Sequence, residues 1–176
     1  MALVPVHEFI SGSLGLDFVD IVGVRAGANL DRLNTPGELQ RWFALAGLHD
    51  IPVSSLDEAW ALRDALVTLL ADLPGPYDSS AVEVVNAAAA KPDLAPQLPY
   101  GARIGSSLEA ALSTIARDII GLLTSALAGR IRRCDGCAMW MVDRSRPGLR
   151  RWCSSESGCG NQARLRRHRN SGKEGA

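Results

Sequence analysis

The sequence has no long apolar run. No stretch approaches the roughly 18 apolar residues that a helix needs to cross a bilayer, so a membrane protein is not expected. Its opening, MALVPVHEFISGSLGLDFVD, lacks a basic start and meets acids at Glu8, Asp17 and Asp20, which argues against a secretory leader. There is no internal repeat, and the only low-complexity tract is the four alanines at 87–90. Cysteine is absent until Cys134, and all four cysteines lie between there and Cys159. These absences lead to the expectation of a cytoplasmic, bacterial-style protein with reduced thiols. What is present is 176 residues, 47% of them hydrophobic. That is enough for a sizeable core in one ordinary domain, with room for a small appendage.

The formal net charge of zero hides an asymmetry. Residues 1–129 carry seven bases against fifteen acids, a net of −8, whereas residues 130–176 carry twelve bases against four acids, a net of +8. An acidic body with a basic end suggests a polyanionic partner. The plainer alternative is that the two halves attract each other.

The acidic body reads as helices punctuated by caps. Thr35, Pro36 and Glu38 form a capping pattern before Leu39, Trp42, Phe43 and Leu45, and Gly47 closes that helix. Residues 55–58 open a longer helix with apolar positions at helical spacing from Leu56 to Leu70, stopped by the LPGP at 73–76. A third helix begins at Ser80 and ends at Lys91-Pro92; a fourth starts at Ser106 and runs to Gly129. The proline- and glycine-rich stretch 92–105 allows only short extended segments. Residues 13–25 are read as helix, although their Val and Ile content would allow a strand. Trp42 and Trp60 are expected in the core, and residues 171–176 are expected to be a disordered tail.

Nothing in this body forms a catalytic constellation. His7 and His49 are isolated, Asp17 and Asp20 share a helix face as a solvated pair would, and the serines sit where caps are needed. An enzyme is not expected.

The chemistry is concentrated in the cysteines. Cys134 and Cys137 have two residues between them, fifteen residues follow, and Cys153 and Cys159 form a second pair with five residues between them. A C-x2-C turn delivers two thiolates from one knuckle, and the intervening length is usual for a second pair closing a zinc tetrahedron. A thioredoxin-like redox pair would need a βαβ context, which is missing, and disulfides would need an oxidising compartment. Iron–sulfur ligation would also use four thiolates, but two knuckles around a short hairpin suit a zinc ribbon or treble clef better. One structural Zn2+ held by Cys134, Cys137, Cys153 and Cys159 is therefore expected, with no open coordination position for catalysis. Residues 138–143 are expected to pair with 149–152 across a turn at 145–148, and a basic helix to begin at Asn161. The fold class is thus mainly α within α+β. Residues 1–129 form a helical domain with a short extended segment, and residues 130–170 a small finger of β-hairpin and short helix.

The cysteines together with Asp143-x-Ser145, RRWC at 150–153 and CGNQ at 159–162 resemble the CGNR-type zinc finger. That finger ends bacterial proteins whose N-terminal domain is called ABATE, described as candidate stress-induced transcription regulators. LGLDFVD at 14–20 and TPGELQRW at 35–42 look like the opening of that domain. The resemblance covers nearly the whole chain and is most specific in its last 45 or so residues. The name-giving arginine is Gln162 here, and an aromatic usual two residues before the Asp is Met141.

Arginine, with little lysine, crowds the same segment: Arg144, Arg146, Arg150 and Arg151 on the expected hairpin, Arg164, Arg166, Arg167 and Arg169 on the helix. Its planar fork suits phosphates and base edges. These eight are the candidate nucleic-acid contacts. Two or three of them, Arg150 or Arg151 first, are expected to pair instead with the acidic body at the 107–128 helix. The expected function is a transcription regulator that binds DNA through the finger, while the body senses a signal or a partner. The rival reading is a zinc-stabilised protein-interaction module that contacts transcription machinery. A homodimer presenting two fingers fits the first reading.

Overall fold

A computed structural model describes residues 9–25, 28–31, 33–96, 98, 103–104, 107–153 and 158–171. The body comprises α1 (Leu14–Val19), the hairpin β1 (Val22–Arg25) and β2 (Ala28–Asp31), α2 (Pro36–Leu45), β3 (Leu48–His49), α3 (Asp57–Ala71), α4 (Ser79–Ala89), β4 (Ala95–Pro96), β5 (Arg103–Ile104) and α5 (Leu108–Leu123). The finger adds β6 (Ile131–Arg133), β7 (Trp140–Val142) and α6 (Cys159–Ser171). Among the described residues no helix is long and apolar enough to cross a membrane.

The capping chemistry places most helix starts. Thr35 Oγ1 accepts the Glu38 amide at 3.2 Å while the Glu38 carboxylate accepts the Thr35 amide at 3.0 Å, a complete capping box. Asp78, two positions before the expected Ser80, caps α4 through the Ala81 amide, and Ser107, one position after the expected Ser106, caps α5 through the Ala110 amide. Ser106 itself lies outside the described residues, as does His7. Ser55 does not cap α3 directly; its hydroxyl bonds Asp57 in the first turn.

The expected helix over 13–25 is corrected. It stops at Val19, and residues 22–25 form a strand paired with 28–31. β-branched Ile21, Val22 and Val24 around Gly23 favour extended backbone once the helix has ended. The short extended segments expected at 92–105 are β4 and β5, which join β3 in a three-stranded sheet of order β3-β5-β4.

The body's core is assembled around Trp42. Its ring meets Phe9, Phe18 and Phe43 at centroid distances of 5.5, 5.4 and 5.8 Å. Leu62 and Leu66 of α3 and Ile115 and Ile119 of α5 complete it. α1 lies close on α5 because residue 15 is glycine: a Cβ there would stand 2.8 Å from the Ile119 Cβ. Ser13 Oγ and the Gly15 amide both donate to one Asp118 carboxylate oxygen, at 2.5 and 2.9 Å, pinning the start of α1 to α5. Trp60 departs from its expected core role. It is 39% exposed, with its indole N–H donating to the Leu33 carbonyl at 3.1 Å.

The finger's hairpin differs from the expected one. β6 precedes the first cysteine and pairs antiparallel with β7, Arg132 opposite Met141, so the Cys134–Cys137 knuckle is itself the turn. Residues 149–152 form no strand. Their backbone is held by side chains, the Arg150 amide donating to Asp143, and the Arg151 carbonyl accepts the Asp135 amide. Of the expected disordered tail, Ser171 ends α6 and residues 172–176 lie outside the described residues.

Candidate metal centre and its arginine surround

The knuckle closes through local bonds. The Cys134 amide donates to the Met139 carbonyl and the Ala138 amide to the Cys134 carbonyl, both at 2.8 Å, with Ala138 in the left-handed region at φ 61°. Cys159 opens α6 and Cys153 arrives from the loop between them. Gly136 makes the meeting possible, since a Cβ there would stand 2.8 Å from the Cys159 Cβ.

The result is a cluster in which all four Sγ atoms lie within 4.8 Å of one another. The Cys137–Cys153 and Cys153–Cys159 sulfur distances are 3.6 and 3.7 Å. A disulfide would need about 2.05 Å. A regular tetrahedron of sulfurs at about 2.3 Å from a zinc ion has edges of about 3.8 Å, and the observed distances fit it. Cys134 Sγ also accepts the Gly136 and Cys153 amides at 3.4 and 3.2 Å, bonds that favour a thiolate. Against this, burial pushes the Cys134 thiol up, and the neighbouring Cys153 sulfur together with burial pushes Cys137 up. Four crowded thiols of this kind give up their protons when a dication takes their place. The donor set, soft and closed, is that of a structural zinc site. Met141, Ile10 and Trp152 pack around it.

Asp143 organises the loop that follows β7. Its side chain is fully buried; one carboxylate oxygen accepts the Ser145 amide and hydroxyl at 2.9 and 2.6 Å, the other the Arg150 amide at 2.8 Å. The Ser145 hydroxyl leads the bonds that hold its pKa down to about 2. Three arginines outside the expected set brace the same region. Arg130 donates to the Ser145 and Asp143 carbonyls at 2.6 and 3.3 Å, Arg132 to the Gly148 carbonyl at 2.7 Å, and Arg133 to the Ala138 carbonyl at 3.0 Å while stacking over Trp140. Their position directly before the first cysteine is the sequence signal for this bracing role.

The eight candidate arginines divide accordingly. Arg150 donates to the Trp152 carbonyl at 2.7 Å, and Arg151 pairs with Asp135 at 2.6 Å. The expectation that these two dock the finger on the body is therefore corrected, because their nearest acceptors belong to the finger itself. Arg144 does reach the body, donating to the Gly12 carbonyl at 3.2 Å. Arg146, Arg164 and Arg169 are exposed and make no hydrogen bond or ion pair among the described residues. The side chains of Arg166 and Arg167 lie outside the described part of the structure.

The joint between finger and body runs through β7. Its inner edge pairs with β6, while on the outer edge the Trp140 amide donates to the Asp20 carboxylate at 2.6 Å and the Val142 amide to the Ser11 carbonyl at 3.1 Å. Trp140 and Val142 enter the body's core, and Met141 between them faces the cysteines. Burial raises Asp20 to about 8, against the lowering effect of the Trp140 bond; it raises Asp17, which accepts the Ile10 and Ser11 amides, to about 6. The solvated pair expected at these two acids is instead buried.

Residues 12–126 match the ABATE family model, described as "Putative stress-induced transcription regulator", and residues 130–171 match the CGNR zinc finger. No match to a curated protein is found.

Proposed function

The chain belongs to the ABATE family and carries a CGNR zinc finger with one structural zinc ion, and on that premise we propose that it regulates transcription by binding duplex DNA through the finger. The observation that carries this reading is the set of exposed arginines Arg146, Arg164 and Arg169, which have no partner among the described residues although acids and carbonyls are close at hand for their neighbours. The cysteine cage fixes the frame on which they stand. The acidic body receives a signal or partner and passes it to the finger through β7, which both units share. The protein acts by binding, and the closed cysteine site has no part in catalysis.

Fluorescence anisotropy of a labelled duplex, titrated with zinc-loaded full-length protein across a salt series, tests this. Three phosphate contacts give a slope of log affinity against log salt of about −3, steeper if Arg166 and Arg167 contribute. Absence of any affinity at low salt would sink the proposal.

A further inference from the structure

The loop after β7 presents two side chains that its own fold does not use. Its backbone is tied from beneath. The Asp143 and Ser145 carbonyls accept from Arg130, the Gly148 carbonyl from Arg132, and the Ser145 and Arg150 amides donate to the buried Asp143 carboxylate. The Gly148 amide closes the turn on the Ser145 carbonyl at 3.1 Å. Gly148 has φ +66° and is buried against Arg130, whose Cζ would be 3.4 Å from a Cβ there, so the turn is built for glycine. On the outer side stand Arg146, unpaired among the described residues, exposed Pro147, and Leu149, which is 74% exposed.

A lone exposed leucine is commonplace. A leucine presented on a pre-organised loop, beside an arginine that no acceptor among the described residues engages, is suited to a partner that takes a cation and an apolar wedge together. The partner's charge is set by Arg146 together with Arg164 and Arg169, the exposed arginines that no acceptor among the described residues engages. Its shape is set by the exposed part of the turn, a single pass of chain through Arg146, Pro147 and Leu149 with Gly148 turned inward, which matches a cleft about 6 Å wide better than the 12 Å groove that admits a helix.

We infer that residues 144–149 form a minor-groove reading loop specific for A·T-rich duplex DNA, Arg146 entering the groove and Leu149 wedging against a base step. Narrow A·T-rich minor grooves concentrate negative potential that draws arginine, and their floor lacks the guanine amino group that obstructs the approach in G·C pairs. Apolar wedges from such loops are a general device of minor-groove binding. The inference rests on the DNA-binding reading above and adds the groove and the base composition.

Full-length, zinc-loaded protein is titrated against an A·T-rich and a G·C-rich duplex of equal length at one salt concentration, with netropsin as a minor-groove competitor. The expected result is at least tenfold tighter binding to the A·T-rich duplex, with netropsin displacing the protein. Leu149→Ala and Arg146→Ala should each lose about tenfold on that duplex at unchanged melting temperature, since neither side chain supports the loop. Equal affinity for both duplexes, indifference to netropsin, or a neutral Leu149→Ala overturns the inference and leaves DNA binding standing. No binding to either duplex at low salt removes both.

Discussion

The body and the finger of this chain are stabilised by different physics. The body buries a continuous apolar core in which Phe18, Leu39, Phe43, Leu66, Ile115 and Ile119 are wholly shielded from water. The finger's own cluster is four cysteines and Met141, with Ile10, which precedes α1, and Trp152 beside it. Burial of apolar area at roughly 25 cal/mol per Å2 sustains the first. The second lacks that area and relies on a metal and on side chains that satisfy backbone groups. Arginine content alone therefore does not measure a polyanion surface, because in the finger Arg130, Arg132, Arg133, Arg150 and Arg151 are committed to carbonyls or to an acid.

Metal removal should separate the two regions most sharply. Structural zinc contributes on the order of 10 kcal/mol to such units, so stripping it should abolish hydrogen-exchange protection of α6, of the Cys134–Cys137 knuckle and of the loop 143–153, while β7, seated in the body's core, keeps part of its protection. Helices α3 and α5 should stay protected at a lowered melting temperature. A finger that stays protected without metal would show that its polar lattice suffices. In the opposite direction, Phe43→Ala should cost about 3–5 kcal/mol of global stability in denaturant unfolding, while elemental analysis still finds one zinc per chain.

The joint is the next test. Asp20→Ala leaves the Trp140 amide without its acceptor, at a cost of about 1–3 kcal/mol. Body and finger should lose stability together, as read by exchange in β7 and α1. The pH dependence follows from the same carboxyl. Burial raises Asp20 from the ordinary 3.8 to about 8, so the folded state binds its proton more tightly than the unfolded chain. Stability from this group is full below about pH 4 and is lost as pH rises toward 8, by at most about 1.4 kcal/mol per pH unit. Asp20→Asn should flatten that slope in melting curves taken between pH 5 and 8. Asp143 has the opposite sign: held down to about 2, it contributes stability at neutral pH that is lost on acidification through that value. The smallest effect is expected for Gln162→Arg, at an exposed position in the first turn of α6, where melting should shift by no more than about 0.5 kcal/mol equivalent.

The cysteine spacing made the cage legible, because two pairs at that separation have few other physical uses, and the Thr35 capping box was equally plain. The hairpin was not. Ile131–Arg133 reads as a charge cluster rather than a strand, since Arg132 is engaged by the Gly148 carbonyl, which the fold brings near, and Arg133 by the Ala138 carbonyl of the knuckle. The end of α1 was half legible: the Val and Ile content of residues 21–24 allowed the strand that forms, whereas the hydrogen bond from the Trp140 amide to Asp20 joins positions 120 apart and left no local trace. Trp60 shows the converse, an aromatic at a helical apolar spacing that stays partly exposed while its N–H donates to the Leu33 carbonyl.

β7 has a consequence for how such chains can be recombined. A strand whose alternate residues serve two neighbouring cores, and whose two edges are claimed by different units, does not travel as a cassette. Cutting the chain near residue 129 should leave a finger with Trp140 and Val142 bare and a body with a matching void, so neither piece should express as a well-behaved protein. Swapping fingers between relatives should succeed only when the Ser11–Asp20 segment is exchanged along with them, a graft in two places for what looks in the sequence like a single tail.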